Sequence, residues 1–301
     1  MPEYVRRCAW RECAFTSISV ANLPILGNRR MTTPPRGLRL TLSGGTQLPT
    51  HAHHWDQLVY AREGVLTVIT DGELAGNTQT SNALPALHRW IVPRTLAVWL
   101  PAGLRHSLRA DVRATLDAVY VQPAIACGAA WRAELCPMVL GVSPLMRELI
   151  AFVVDSAMST SRPHPLVTPD SLTHAAALLV GIARTAPVNP LRMREPRDAR
   201  ARAVASILGH APDDARNLEA LGRTVGASAR TLERLFLAET GLTFREWRQQ
   251  VRLEHALRAL AGGSSVSAVA SAVGYESASA FIAMFKRRLG VTPSAYYPAG
   301  M

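Results

Sequence analysis

Two stretches of this 301-residue chain are versions of one another, and the repeat restricts what its last third can fold into. The stretch LGRTVGASARTLERLFLAETGLTFREW ends at Trp247 and is matched by ASAVGYESASAFIAMFKRRLGVTPSAYY, which ends at Tyr297. Val225-Gly226 falls on Val273-Gly274, Phe236 on Phe285, Gly241 on Gly290, Thr243 on Thr292 and Trp247 on Tyr296. The offset is 48 residues from Gly226 to Gly274 and 49 from Gly241 to Gly290, so the second copy carries one extra residue in its turn. Each copy reads as a short helix, a glycine turn, an N-capping serine (Ser228, Ser277), a second helix and a glycine just past its end. Leu232, Leu235 and Phe236 share one face of the second helix in the first copy, which turns Arg230, Glu233, Arg234 and Leu237 away from the core. In the second copy Phe281, Met284 and Phe285 face inward, leaving Ser279, Ala283 and Lys286 outermost with Ala278 beside them.

This is the pattern of a helix-turn-helix, whose second helix enters the major groove of DNA. A helix predicted from Phe244 to Ala261 joins the copies. At 1.5 Å per residue it is roughly 27 Å long, close to the roughly 34 Å repeat of the duplex, so the two units suit successive grooves on one side of the DNA. Residues 198–298 resemble the DNA-binding domain of the AraC/XylS family of bacterial transcription regulators. The residues that carry the resemblance are Gly274, Tyr275, Ser277, Phe281, Phe285, Lys286, Gly290 and Pro293, at the family's spacing. The resemblance implies base reading by Arg230, Glu233 and Arg234 in the first unit and by Ala278, Ser279 and Ala283 in the second. Arginine suits guanine O6 and N7, and a glutamate can accept from cytosine N4. The alanines permit close approach and thymine-methyl contact, while Thr231, Lys286, Arg287 and Arg288 are expected on phosphates. The first unit is therefore expected to supply most of the sequence discrimination.

Charge agrees with a polyanionic partner: the formal net charge is +11, and Lys286 is the sole lysine among 33 basic residues. Arginine binds phosphate and guanine through two parallel bonds, which an ammonium cannot do. No apolar run reaches the roughly 20 residues of a membrane span, and no signal peptide is recognisable, so a cytoplasmic chain without membrane contact is expected. Cys8, Cys13, Cys127 and Cys136 lack zinc-site or CxxC spacing and read as reduced thiols.

The front half has a different grammar. From Leu38 to about Pro123 short alternating runs closed by turn residues predict strands. Apolar positions at Leu145, Leu149, Phe152 and Val153, then at Leu172, Ala176, Leu179 and Ile182, predict two amphipathic helices. The Pro- and Arg-rich tract 186–197 reads as a linker. The expected fold is α+β in two domains. An arm (1–37), a β-barrel sensor (38–125) and a helical, possible dimerisation segment (126–185) precede the linker, and residues 198–301 form an all-α tandem helix-turn-helix domain.

Within GTQLPTHAHHWDQLVYAREG, Gly45, His51, His53, Gln57 and Gly64 are spaced as in the first cupin motif, and Pro101, Gly103 and His106 follow as in the second. On a strand His51 and His53 point to the same side. Gln57 stands where the cupin glutamate would be and Ala110 where a later Asn often stands; His54 and His88 match neither motif. The resemblance to cupins implies a small barrel in which His51, His53, Gln57 and His106 hold a divalent transition metal or contact a small-molecule effector. Trp55, Tyr60, Trp90 and Trp99 lie near these motifs and either line an apolar pocket or pack the core.

Together these readings describe a homodimeric, non-enzymatic transcription regulator, an activator or a repressor. It needs no cofactor and has double-stranded DNA, a small-molecule or metal effector and RNA polymerase as partners. The alternative is a metal-dependent cupin enzyme with an accessory helical domain; Gln57 in the carboxylate position argues against it.

Overall fold

The computed structural model of the protein describes residues 36–74, 88–122, 137–158, 167–186 and 192–297. The four cysteines and nearly all of the predicted N-terminal arm lie outside these residues.

The front half is a sandwich of two antiparallel sheets. Strands β1 (Arg36–Leu42), β8 (Ala114–Val121), β3 (Asp56–Glu63), β6 (Leu96–Leu100) and β9 (Met138–Gly141) make one sheet in that order. The other runs β10 (Arg192–Arg194), β5 (His88–Pro93), β4 (Val65–Leu74), β7 (Leu104–Ala110) and β2 (Thr46–His51). Side chains alternate with period two, so each strand sends every second residue inward. Val59, Ala61, Leu66, Val68, Leu100, Leu104, Leu108 and Leu116 fill the interior. In β3 and β8 the alternate residues are buried as well, because α1 (Pro144–Met158) and α2 (Pro169–Thr185) cover the outer face of the first sheet. Gly37 lets α1 approach β1 closely; a Cβ there would lie 2.4 Å from the Val154 Cα. Arg39 then ties the layers by pairing with Asp117 of β8 and Asp155 of α1, each at 2.6 Å.

Both predicted helices form, but α1 is turned about one position from expectation. Met146, Ile150, Val153 and Val154 pack on the sheet, while Leu145 stays 54% exposed and Leu149 only partly buried. The helix carries two adjacent apolar stripes, and the sheet takes the one of Met146, Ile150, Val153 and Val154. The aromatic residues divide in the same way. Tyr60 and Trp99 pack under α1 and α2, Trp90 belongs to the sandwich interior, and Trp55 borders it. Within the Pro- and Arg-rich tract, Arg192–Arg194 pairs with β5 as the edge strand β10.

The C-terminal third is all helical: α3 (Ala199–His210), α4 (Leu218–Val225), α5 (Ala229–Thr240), α6 (Phe244–Ala261), α7 (Val266–Ala272), α8 (Ala278–Leu289) and α9 (Pro293–Tyr296). Capping side chains set their starts, with Asp198, Asn217, Ser228, Thr243, Ser265, Ser277 and Thr292 each accepting a backbone N–H. Gly241 and Gly290 end α5 and α8 in the left-handed conformation. Among the described residues no helix is long and apolar enough to cross a membrane.

Candidate DNA-reading face and barrel histidine site

The repeat survives in three dimensions. Phe236 packs on Trp247 with ring centroids 5.2 Å apart, and in the second unit Phe285 packs on Tyr296 at 5.4 Å. Thr243 and Thr292 cap the helices that carry those partners, so α9 repeats the first turn of α6. The turns differ by the residue that the spacing predicted. Ala227 alone separates Gly226 from the cap Ser228, whereas Tyr275 and Glu276 separate Gly274 from Ser277.

Burial of the inner faces decides which residues look outward. Leu232, Phe236, Phe281 and Phe285 are fully buried. Arg230, Glu233 and Arg234 on α5, and Ser279, Ala283, Lys286 and Arg287 on α8, are exposed, with Ala278 and Thr231 partly so. Some of the predicted contact residues have neighbours of their own. Glu233 accepts a long bond of 3.4 Å from the first amide of α6, and Arg288 is half-turned back to Gln249 at 3.3 Å. Thr231 meets the cap hydroxyl of Ser228 at 2.9 Å. On α6 only Arg245 of the four arginines is exposed. Arg248 and Arg252 donate to the Arg216 and Pro212 carbonyls at 2.5 and 3.0 Å, and Arg258 turns to the barrel. Gly222 is a position that sequence reasoning missed: a Cβ there would lie 2.3 Å from the Ala227 carbonyl, so only glycine lets α4 meet the turn.

A model described as a helix-turn-helix domain matches residues 221–298. The HTH-type transcriptional regulator NimR of Escherichia coli K12 is 33% identical over 251 residues, covering 82% of this chain and 81% of its own. The chain belongs to the AraC/XylS family of transcription regulators. It is a DNA-binding regulator, as its relatives are. The HTH-type transcriptional regulator RipA of Corynebacterium glutamicum matches this regulator at 43% identity over 101 residues, 34% of this chain and 30% of its own. Among solved structures, ToxT from Vibrio cholerae aligns over 88% of this chain and 98% of its own at 11% identity, with a TM-score of 0.34.

In the front half of this regulator the three motif histidines do meet. One ligand nitrogen from each of His51, His53 and His106 lies within 4.8 Å of the others. The route differs from expectation, because β2 ends at His51 and His53 sits in the turn that follows. That turn is pinned by the Gly103 amide, which donates to the His53 carbonyl at 2.8 Å. Each Nδ1 is within 2.9 Å of a backbone carbonyl: Pro49 for His51, Trp55 for His53 and Leu104 for His106. Carbonyls only accept, so each Nδ1 carries the proton, and the Nε2 of His51 and of His106 keeps its lone pair, whereas the Nε2 of His53 faces the Gln57 Oε1. The Nε2 of His106 is buried with no hydrogen-bond partner among the described residues. Burial, with two neighbouring imidazoles, pushes its pKa down to about 3, which keeps that ring neutral, and burial lowers the pKa of His53. Gln57 points inward from β3; its Oε1 is 2.9 Å from the His53 Nε2, and its amide donates to the Tyr120 hydroxyl at 3.0 Å. His54 is exposed and His88 buried at the start of β5, and neither belongs to the cluster.

Proposed function

We propose that this regulator reads a bipartite DNA site, α5 and α8 entering successive major grooves, with the barrel histidines as its sensory centre. The observation that carries the DNA half is the paired exposure of Arg230 and Arg234 over a fully buried Leu232 and Phe236. Arg230, Arg234 and Glu233 read bases from α5, and Ala278, Ser279 and Ala283 approach the groove from α8. Thr231, Lys286, Arg287 and Arg288 hold phosphates. The second helix offers few hydrogen-bonding groups, so the stricter half-site lies under α5. Residues 38–125 act as sensor, 126–185 as dimerisation segment, 186–197 as linker and 198–301 as reader. Leu145 and Leu178 are 54% and 49% exposed on α1 and α2, which favours a second copy of this chain as what covers them. RNA polymerase contact and a cytoplasmic location go with this role.

Selection of bound duplexes from a random pool tests the reading. Two conserved blocks about one helical turn apart, the stricter one lost on substitution in α5, is the expected result. A single block, or the stricter block lost on substitution in α8, contradicts it.

For the sensor, imidazoles held at Nδ1 by backbone carbonyls, with an amide oxygen beside them, fit a divalent transition metal such as zinc, nickel or copper. They suit magnesium or calcium poorly, because those ions prefer carboxylates. His51, His53 and His106 would hold the ion through Nε2, with Gln57 as the oxygen donor; the bound ion would supply a positive centre at the barrel site. Gln57 contributes no charge where a carboxylate would, which favours reversible binding. Titration of metal-stripped protein with nickel or zinc salts is expected to show one site per chain. His106→Ala is expected to weaken it by about ten- to one-hundred-fold or more. Equal affinity in the two proteins would leave an organic effector as the ligand.

A further inference from the structure

The outer face of the second sheet carries a set of charges that neither DNA reading nor the histidine site uses. Arg89 of β5 lies 3.1 Å from Glu254 of α6 and 3.3 Å from Glu195, just past β10. Arg258 of α6 lies 2.5 Å from Asp111, at the end of β7, and its guanidinium also contacts Glu254 and, at 3.3 Å, the Thr67 hydroxyl of β4. Glu254 is only 2% exposed, so a carboxylate on the helix that joins the two reading units is buried between one arginine of the barrel and one of its own helix. A buried carboxylate is tolerated only with such partners, and removing one leaves an uncompensated charge. Several of these contacts are charge pairs without aligned hydrogen bonds: Arg258 Nε, Asp111 Oδ2 and Glu254 Oε2 have none among the described residues.

Apolar contacts follow the same line. The cluster that fills the sandwich continues into Leu253, Leu257, Val269, Phe281 and Phe285, the core of the second reading unit, whereas the first unit has a separate core. Thr95, in the turn between β5 and β6, bonds the Tyr296 hydroxyl. Met193 of β10 is fully buried in the core of the first unit while its strand pairs with β5.

We propose that this network is an ionic brace through which the barrel governs the reader, with Glu254 as its centre. The proposal rests on the reading of the C-terminal third as a DNA reader and of the barrel as its sensor. Its geometry suits transmission. Thr70 pairs with His106 across β4 and β7, and three residues along the same strands Thr67 pairs with Arg109. Because side chains alternate along a strand, Thr70 and His106 turn inward to the site while Thr67 and Arg109 turn outward toward α6. A shift of β7 at the histidines therefore moves Asp111, which Arg109 holds at 2.8 Å, against Arg258. In the braced state the reading residues of α5 and α8 remain exposed, so the brace preorganises the reader rather than blocking it.

Limited trypsin digestion of the full chain, without DNA, tests the docking directly. The braced protein is expected to resist cleavage after Arg192 and Arg194. Arg89→Gln and Asp111→Asn, both at partly exposed positions whose loss leaves each domain's core intact, are expected to speed it about ten-fold. Arg62→Gln, which loses a contact to Asp117 inside the barrel, is the control and should cut at the parent rate. Rapid cleavage of the parent chain, or unchanged cleavage of both brace variants, overturns the brace. Affinity for a duplex taken from the random-pool selection tests its role: both variants are expected to bind about five-fold more weakly as preorganisation is lost. Unchanged or tighter binding means that the brace carries no signal to the reader. Failure of the selection itself would instead count against the DNA-reading proposal and leave the digestion result standing.

Discussion

Replacing Phe236 by alanine is expected to cost the first reading unit about 3–5 kcal/mol, the range for a fully buried aromatic ring. Phe236 is 0% exposed and touches both Phe244 and Trp247, so the cavity opens where α5 meets α6. That loss approaches the whole stability of a small domain, about 5–15 kcal/mol. Thermal unfolding followed by circular dichroism should show a helical transition displaced to lower temperature, with the β signal of the barrel kept. DNA binding should disappear over the same range. Leu237→Ala is the matched comparison: Leu237 is 55% exposed on the opposite face, and its loss should change stability by about 0.5 kcal/mol or less. Similar costs for the two would mean that α5 is not seated as described.

The second large effect concerns recognition. Arg234→Ala is expected to lower affinity for the selected duplex by about 1–3 kcal/mol, roughly 5- to 150-fold, and to relax the preference at one base position. Lys286→Ala should behave differently. An exposed cation over a phosphate carries no sequence information, so its loss should weaken binding to every duplex alike and reduce the salt slope by about one. Fluorescence anisotropy across several salt concentrations, with single-base variants of the duplex, separates the outcomes. Uniform weakening by Arg234→Ala would place that arginine on the backbone instead.

The reader was legible from sequence because its determinants are local. Caps such as Ser228 and Ser277, apolar faces such as Leu232 with Phe236, and glycines that accept positive φ all act within a few residues of where they stand. The extra residue in the second turn was visible in the spacing alone. The histidine cluster was legible as a composition of ligands but not as a geometry, since the end of β2 at His51 depends on the contact of Gly103 with His53, across about fifty residues of chain. The facing of α1 was missed because its apolar residues form two adjacent stripes, and the distant sheet it packs on selects between them. The brace was hidden for the same reason. Glu254 and Arg258 look like an ordinary helical i, i+4 pair, and nothing near them announces Arg89 or Asp111. What the sequence does hint at is a carboxylate among the apolar positions of α6, and burial turns that hint into a contact with the barrel.

The central claim is that two short helices present their exposed faces to specific DNA. Competition between the selected duplex and bulk genomic fragments, at one fixed salt concentration, tests it most directly. The account predicts that about 10³-fold or more of the bulk competitor, by binding site, is needed to displace the protein. Displacement by bulk DNA at near-equal concentration of sites would contradict it.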